Sequence, residues 1–131
     1  MMKSIYGIKG IALIIILLLL LTACSSGDKK EVFVPSYTAG TYTSEQLGFN
    51  GPVVIEVTFT EDSIAEIVVV SNVETDYIAG PALEGIPAAI IENQRLKVDT
   101  VSGATYTSKA ILKAVEDCII QAGENAEELS K

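Results

Sequence analysis

Asp99-Thr100-Val101-Ser102-Gly103-Ala104-Thr105-Tyr106-Thr107-Ser108 is the stretch from which the rest of this chain is best read. It starts from a pair of β-branched residues, passes through a glycine-containing turn crowded with hydroxyls, and hands over to an amphipathic run. Gly103 permits a positive φ at the turn, and the hydroxyls suit the capping of a following helix. A helix start collects unpaired backbone N–H groups and the positive end of the macrodipole, a setting that suits a phosphate. A turn that only caps a helix explains the same residue types, so the local pattern by itself leaves both readings open.

Downstream, Ile111, Ala114, Val115, Cys118 and Ile119 recur at three- and four-residue spacing and predict a helix from about Ser108 to Gln121. Lys109, Lys113, Glu116 and Asp117 fall off that stripe, and Gly123 is a natural stop. Glu124 to Lys131 reads as an acidic tail that frays. Upstream, Leu96 to Val101 reads as a short extended segment. Pro87 fits the first turn of a helix through about Asn93, with Ala88, Ile90 and Ile91 on its apolar side. Pro81 opens a short turn, and Asn72 to Gly80, without clear period, is a loop.

Three strand-like runs precede these helices. Gly40 to Leu47 alternates weakly, and Gly48-Phe49-Asn50-Gly51-Pro52 is a dense turn signal. In Val53 to Thr60 the residues Val53, Ile55, Val57 and Phe59 share one face. Glu61-Asp62-Ser63 turns the chain into Ile64 to Ser71. Short connections favour antiparallel hairpins, so the expectation is an α+β domain, an antiparallel meander with helices packed on one side.

The N-terminus gives an address. Lys3 and Lys9 precede an unbroken apolar run from Ile11 to Leu21, too short for a comfortable span of about 20 residues and right for a signal-peptide core. The run ends in Leu21-Thr22-Ala23-Cys24, which resembles the lipobox of bacterial lipoproteins. That resemblance implies cleavage before Cys24 and a diacylglyceryl group on its thiol; an uncleaved anchor helix is the alternative. Either way the domain faces outward, at the outer face of a bacterial cytoplasmic membrane or its periplasmic side. The expected organisation is a signal peptide over 1–23, a lipid-anchored tether over 24–36, one domain over 37–122 and the tail over 123–131.

Composition narrows the function classes. Loss of Lys3 and Lys9 leaves seven basic against seventeen acidic side chains, which argues against nucleic acid as a partner. The chain has no histidine, and with Cys24 acylated Cys118 is alone, so a transition-metal or haem site lacks its usual ligands. Cys118 falls on the apolar stripe, where a lone thiol is a small core residue. No dinucleotide fingerprint or catalytic dyad is present, so no residue is assigned a catalytic role.

The 99–108 stretch resembles the flavinylation motif of the FMN-binding domain family, in which an Asp and a Ser-Gly-Ala-Thr run are spaced as Asp99 and Ser102 to Thr105 are here. Gly40-Thr41-Tyr42, Gly48 to Val57, Glu74-Thr75, and Ile86-Pro87 with Ile90-Ile91-Glu92 carry the resemblance over most of residues 37–121. It implies FMN bound covalently through a phosphoester on Thr105, with Asp99 helping a separate flavin transferase to read or activate the site. Ser102, Gly103, Ala104, Tyr106 and Thr107 would hold the phosphate through backbone N–H groups and the Ser102 and Thr107 hydroxyls.

Related domains occur in fumarate-reductase-like flavoproteins and in sodium-pumping and ferredoxin-oxidising membrane complexes. The implied function is thus an electron carrier with a redox partner protein at the membrane; a reversible FMN-binding module or an accessory reductase subunit is the alternative. The chain departs from the family where a Glu-Thr pair is usually followed by Pro-Gly and an apolar residue. Here Asp76-Tyr77-Ile78-Ala79-Gly80 stands instead, and Tyr77 either stacks on the flavin or packs over a sheet edge.

Overall fold

In the computed structural model, which describes residues 33–131, alternation along the second strand run sets the architecture. Three strands, β1 (Gly40–Leu47), β2 (Pro52–Phe59) and β3 (Ile64–Ser71), form one antiparallel sheet in the order β1-β2-β3. The register pairs Leu47 with Pro52 and Phe59 with Ile64, as tight hairpins require. Val53, Ile55, Val57 and Phe59 are all buried on one face, as the period of two demands. Shifts in register at Val54/Ile55 and Thr58/Phe59 mark irregularities where β3 pairs with β2. The α+β expectation holds, with the first and third strands bounded as expected and the second one residue earlier, Pro52–Phe59 in place of Val53 to Thr60.

Two helices cover the apolar face. Helix α1 (Asp76–Asn93) packs on β3, and α2 (Thr105–Gln121) lies across β1 and β2 and against α1. The stripe Ile111, Ala114, Val115, Cys118 and Ile119 is fully enclosed and meets Val53, Ile55 and Val57 in the main core. Gly123, with φ +89, ends the turn and donates its N–H to the Ile120 carbonyl at 3.0 Å.

The 72–93 region corrects the sequence reading. The expected loop over Asn72 to Gly80 stops at Thr75, and one helix runs from Asp76 through both Pro81 and Pro87. Each proline forfeits the bond its N–H would have made one turn back. Ala79, Ala82, Ile86, Pro87 and Ile90 are nevertheless buried, so tertiary packing outweighs the propensity penalty. The helix stops at Gln94, held at φ 52. Its side-chain amide donates to the Ile91 and Ile64 carbonyls at 2.7 and 2.9 Å and accepts the Ile64 N–H at 2.7 Å, which compensates a left-handed conformation unusual for glutamine.

Two further differences lie near the C-terminus. Leu96 to Val101 joins no sheet; buried Leu96 instead donates its N–H to the Leu129 carbonyl at 2.9 Å. The tail does not fray, because residues 126–129 form a short helical turn, α3 (Ala126–Leu129), capped by the Asn125 side chain. Ala126 and Leu129, three residues apart, bury on the core and hold it there. The signal-like segment, Cys24 and most of the tether lie outside the described residues.

Candidate functional site

The turn before α2 is built by its own side chains. The Val101 carbonyl accepts the Ala104 N–H at 3.0 Å, with Gly103 between them at φ +84, a value that L side chains rarely adopt. Ser108, fully buried, donates its hydroxyl to the Ala104 carbonyl at 2.7 Å and accepts the Val101 N–H at 3.0 Å. This clamp lets α2 begin at Thr105, three residues earlier than the apolar stripe predicts. No side chain caps the start at Ala104, and no acidic residue stands in the first turn. No acid of α2's own first turn offsets the partial positive charge of its leading N–H groups; the nearby carboxylate is that of Glu74, bonded to the Thr107 hydroxyl.

That helix start opens on a cavity of about 320 Å³, at the small end of the ~300–1,000 Å³ typical of ligand clefts. Gly103 to Thr107 form one wall, Thr75, Ile78 and Ala79 from the start of α1 another, and Phe49 with Asn50 from the β1–β2 turn a third. The Phe49 and Tyr106 rings stand 5.9 Å apart at 45° and are 73% and 66% exposed, so two aromatic faces are left available around the opening. Ile78 is 46% exposed beside them.

Three threonines line this space, and two of their hydroxyls are committed. Thr75 Oγ1 accepts from the Asn50 side chain at 3.0 Å, and buried Thr107 donates to the Glu74 carboxylate. Thr105 is exposed, and its hydroxyl has no hydrogen-bond partner among the described residues. Glu74 is held from several directions. Burial alone would push its carboxyl up, but the hydrogen bonds from Thr107 and from the Asn50, Phe49 and Gly51 amides outweigh that and hold it below its usual value.

The sequence-predicted residues divide into two groups. Gly103, Ala104, Thr105, Tyr106 and Thr107 meet at the cavity, where the Thr107 hydroxyl donates to the Glu74 carboxylate. Ser102 is exposed and is not on the cavity wall. Asp99 is exposed in a separate groove with Gly85, Ala89, Asn93 and Lys97. Tyr77 is 84% exposed and turned off the wall that its neighbours Ile78 and Ala79 form. Among the cavity-wall residues that sequence reasoning missed are Phe49, Ile78 and Ala79. Phe49 had a signal, an aromatic residue in a glycine-flanked turn, where no core role accounts for it.

Cys118 is buried, its thiol donating to the Tyr42 carbonyl at 3.5 Å, and burial pushes its pKa up to about 11. It is a core residue, far from thiolate chemistry.

These residues fit FMN in kind. Uncapped backbone donors suit the phosphate, a free hydroxyl suits an ester, and exposed aromatic and aliphatic walls suit a flat heteroaromatic ring. Comparison with known proteins agrees. The family model of the FMN-binding domain matches residues 48–120. The chain is 45% identical over 93 residues to an NADH:acrylate oxidoreductase of Vibrio harveyi, covering 71% of this chain and 9% of that protein. It is 37% identical over 98 residues to an uncharacterized protein of Treponema pallidum, covering 75% of this chain and 25% of that one. It is 33% identical over 93 residues to a urocanate reductase of Eggerthella lenta, covering 71% and 15%. The chain thus spans a quarter or less of the length of these relatives.

Proposed function

This chain belongs to the FMN-binding domain family, and on that basis we propose that it carries FMN covalently on Thr105 and serves as a one-flavin electron carrier on the outer face of a bacterial membrane. A flavin-binding redox role follows from the family; the covalent link, the carrier role and the anchoring are the further steps. The observation that carries the link is the free hydroxyl of Thr105, beside an uncapped helix start, when Thr75 and Thr107 on the same cavity are engaged.

Thr105 does not activate itself. A threonine hydroxyl is a weak nucleophile without a base. Glu74, the acid on the cavity wall, is held by Thr107 and by turn amides, and Asp99 lies in another groove. A separate flavin transferase is therefore the partner that matures the protein, with FAD as donor. The Thr105 oxygen–phosphorus bond forms, the pyrophosphate bond of FAD breaks, AMP leaves, and the hydroxyl proton passes to the transferase. The backbone N–H groups of Thr105, Tyr106 and Thr107 would then hold the phosphate, while Phe49, Tyr106 and Ile78 would border the ring. The flavin supplies the electron chemistry, and the protein sets the polarity and exposure around it.

Acrylate and urocanate reduction are named for relatives far longer than this chain, so the reading takes only the redox role from them. A covalent cofactor suits an outward-facing protein, because a dissociable flavin would be lost by dilution. The Leu21-Thr22-Ala23-Cys24 run supports a lipid on Cys24 as the anchor, with a redox partner protein at the same membrane. The test is to co-express the full chain with a flavin transferase and record intact mass and in-gel flavin fluorescence after denaturation. A flavin adduct that vanishes in Thr105→Ala is expected. Flavin released on denaturation would replace the ester by reversible binding, and bare polypeptide under all conditions would sink the reading.

A further inference from the structure

Glu74 sits on the short link between β3 and α1, and its position is fixed from both ends of its own residue. Its backbone N–H is taken by the Asn72 side chain at 3.0 Å. One carboxylate oxygen accepts the Asn50 N–H at 2.9 Å and the other accepts the hydroxyl of buried Thr107. The backbone amides of Phe49 and Gly51 lie close to it. Two hydrogen bonds from distant parts of the chain thus converge on one anion.

The turn that supplies the Asn50 donor is shaped around this segment. A Cβ on Gly48 would stand 2.7 Å from the Glu74 carboxylate, and a Cβ on Gly51 would stand 2.6 Å from the Val73 side chain. Glycine at these two positions is what allows the approach. Phe49, which lies between them, walls the cavity opposite Tyr106, which immediately precedes Thr107.

We infer that Glu74 is the positioning residue of this cavity: its carboxylate ties the 48–51 turn to the first turn of α2 and so sets where the Phe49 and Tyr106 walls stand. The tie exists in the protein alone; its consequence for a bound ring rests on the flavin reading above. Removing it loosens the turn, whose remaining hydrogen bonds among the described residues are that from the Gly48 N–H to the Gly51 carbonyl and that from the Asn50 side chain to Thr75. The groups facing the carboxylate are neutral donors, and the nearest charge along the chain is Asp76 at the start of α1.

The experiment is a pH titration by amide NMR of the full chain in detergent, produced without flavin transferase. The Phe49, Asn50 and Gly51 amides are expected to shift together with one midpoint below the ordinary carboxylate range, and that joint transition is expected to disappear in Glu74→Gln. Amides that titrate separately, or not at all, overturn the proposal, as does persistence of the joint transition in the variant. In flavinylated protein, Glu74→Ala is expected to raise flavin fluorescence at least twofold by releasing the aromatic walls, with Glu74→Gln in between. Unchanged fluorescence in a folded Glu74→Ala variant overturns the wall-setting role. A protein that takes up no flavin removes the flavin reading and leaves the amide titration to judge the tie.

Discussion

Helices α1 and α2 both start at the rim of one cavity, and their starts are built differently. The start of α1 has Asp76 in its first turn, which offsets the macrodipole, and its Thr75 hydroxyl is taken by Asn50. The start of α2, uncapped by a side chain like that of α1, has no acid in its own first turn, only the Glu74 carboxylate reaching Thr107 from outside, and carries an unengaged hydroxyl on Thr105. Two threonines of the same cavity thus differ in what their own helix turn and hydroxyl already hold. A phosphate would meet a compensated dipole and an occupied hydroxyl at one, and free donors with a free hydroxyl at the other. On general grounds a helix start is available to an anion only where the sequence leaves its donors unfilled.

The comparison is broken most severely by exchanging the two threonines' fates. Thr105→Ala is expected to abolish covalent flavin entirely while Thr75→Ala retains it, read by intact mass; adduct moving to Thr75 would show that the dipole argument is wrong. Exposed Thr105 makes few contacts, so its loss changes stability by no more than about 0.5 kcal/mol. Ser108→Ala removes the clamp behind the α2 start and leaves the half-buried Val101 N–H unpaired, while the Ala104 carbonyl keeps the Ser108 N–H, a cost of about 1–2 kcal/mol in chemical denaturation. Gly103→Ala forces a side chain into φ +84, with open space around it, and costs about 1–2 kcal/mol from backbone strain alone.

A pH series sharpens the contrast further. The folded-state pKa of Glu74 is lowered, so its contribution is present above the unfolded carboxylate value and lost as pH falls through the folded one. The Tm advantage of wild type over Glu74→Gln is accordingly expected to be full near pH 7 and to shrink below about pH 4. An advantage that grows on acidification would contradict the assignment. The smallest effect belongs to the other helix: Asp76→Asn costs about 0.3–1 kcal/mol of dipole compensation and leaves flavin loading unchanged.

Much of this was legible in the chain. Alternation in Val53 to Phe59 and the spacing of Ile111 to Ile119 each place a residue on a face from local geometry alone, and both faces are where they should be. The hydroxyl turn was legible for the same reason, since Gly103 and the helix start are local matters. Prolines misled the reading of α1. Ala79, Ala82, Ile86 and Ile90 already carried a helical spacing, but Pro81 and Pro87 look like boundaries until burial is counted against them. The tail misled by its charge, which concealed the Ala126 and Leu129 pair.

The cavity itself was not legible. Its walls come from residues 49–50, from 74–75 with 78–79, and from 103–107, and no local period reports that these segments meet. Sequence by itself set the strands, the core stripe of α2, the chemistry available at Thr105 and the family to which those residues point. Tertiary structure alone decided that Phe49 rather than Tyr77 faces the site, that Asp99 lies outside it, and that Thr107 spends its proton on Glu74. Periodicity and turn chemistry act over a few residues, whereas a hydrogen bond between positions 33 residues apart forms only after the sheet and helices have packed.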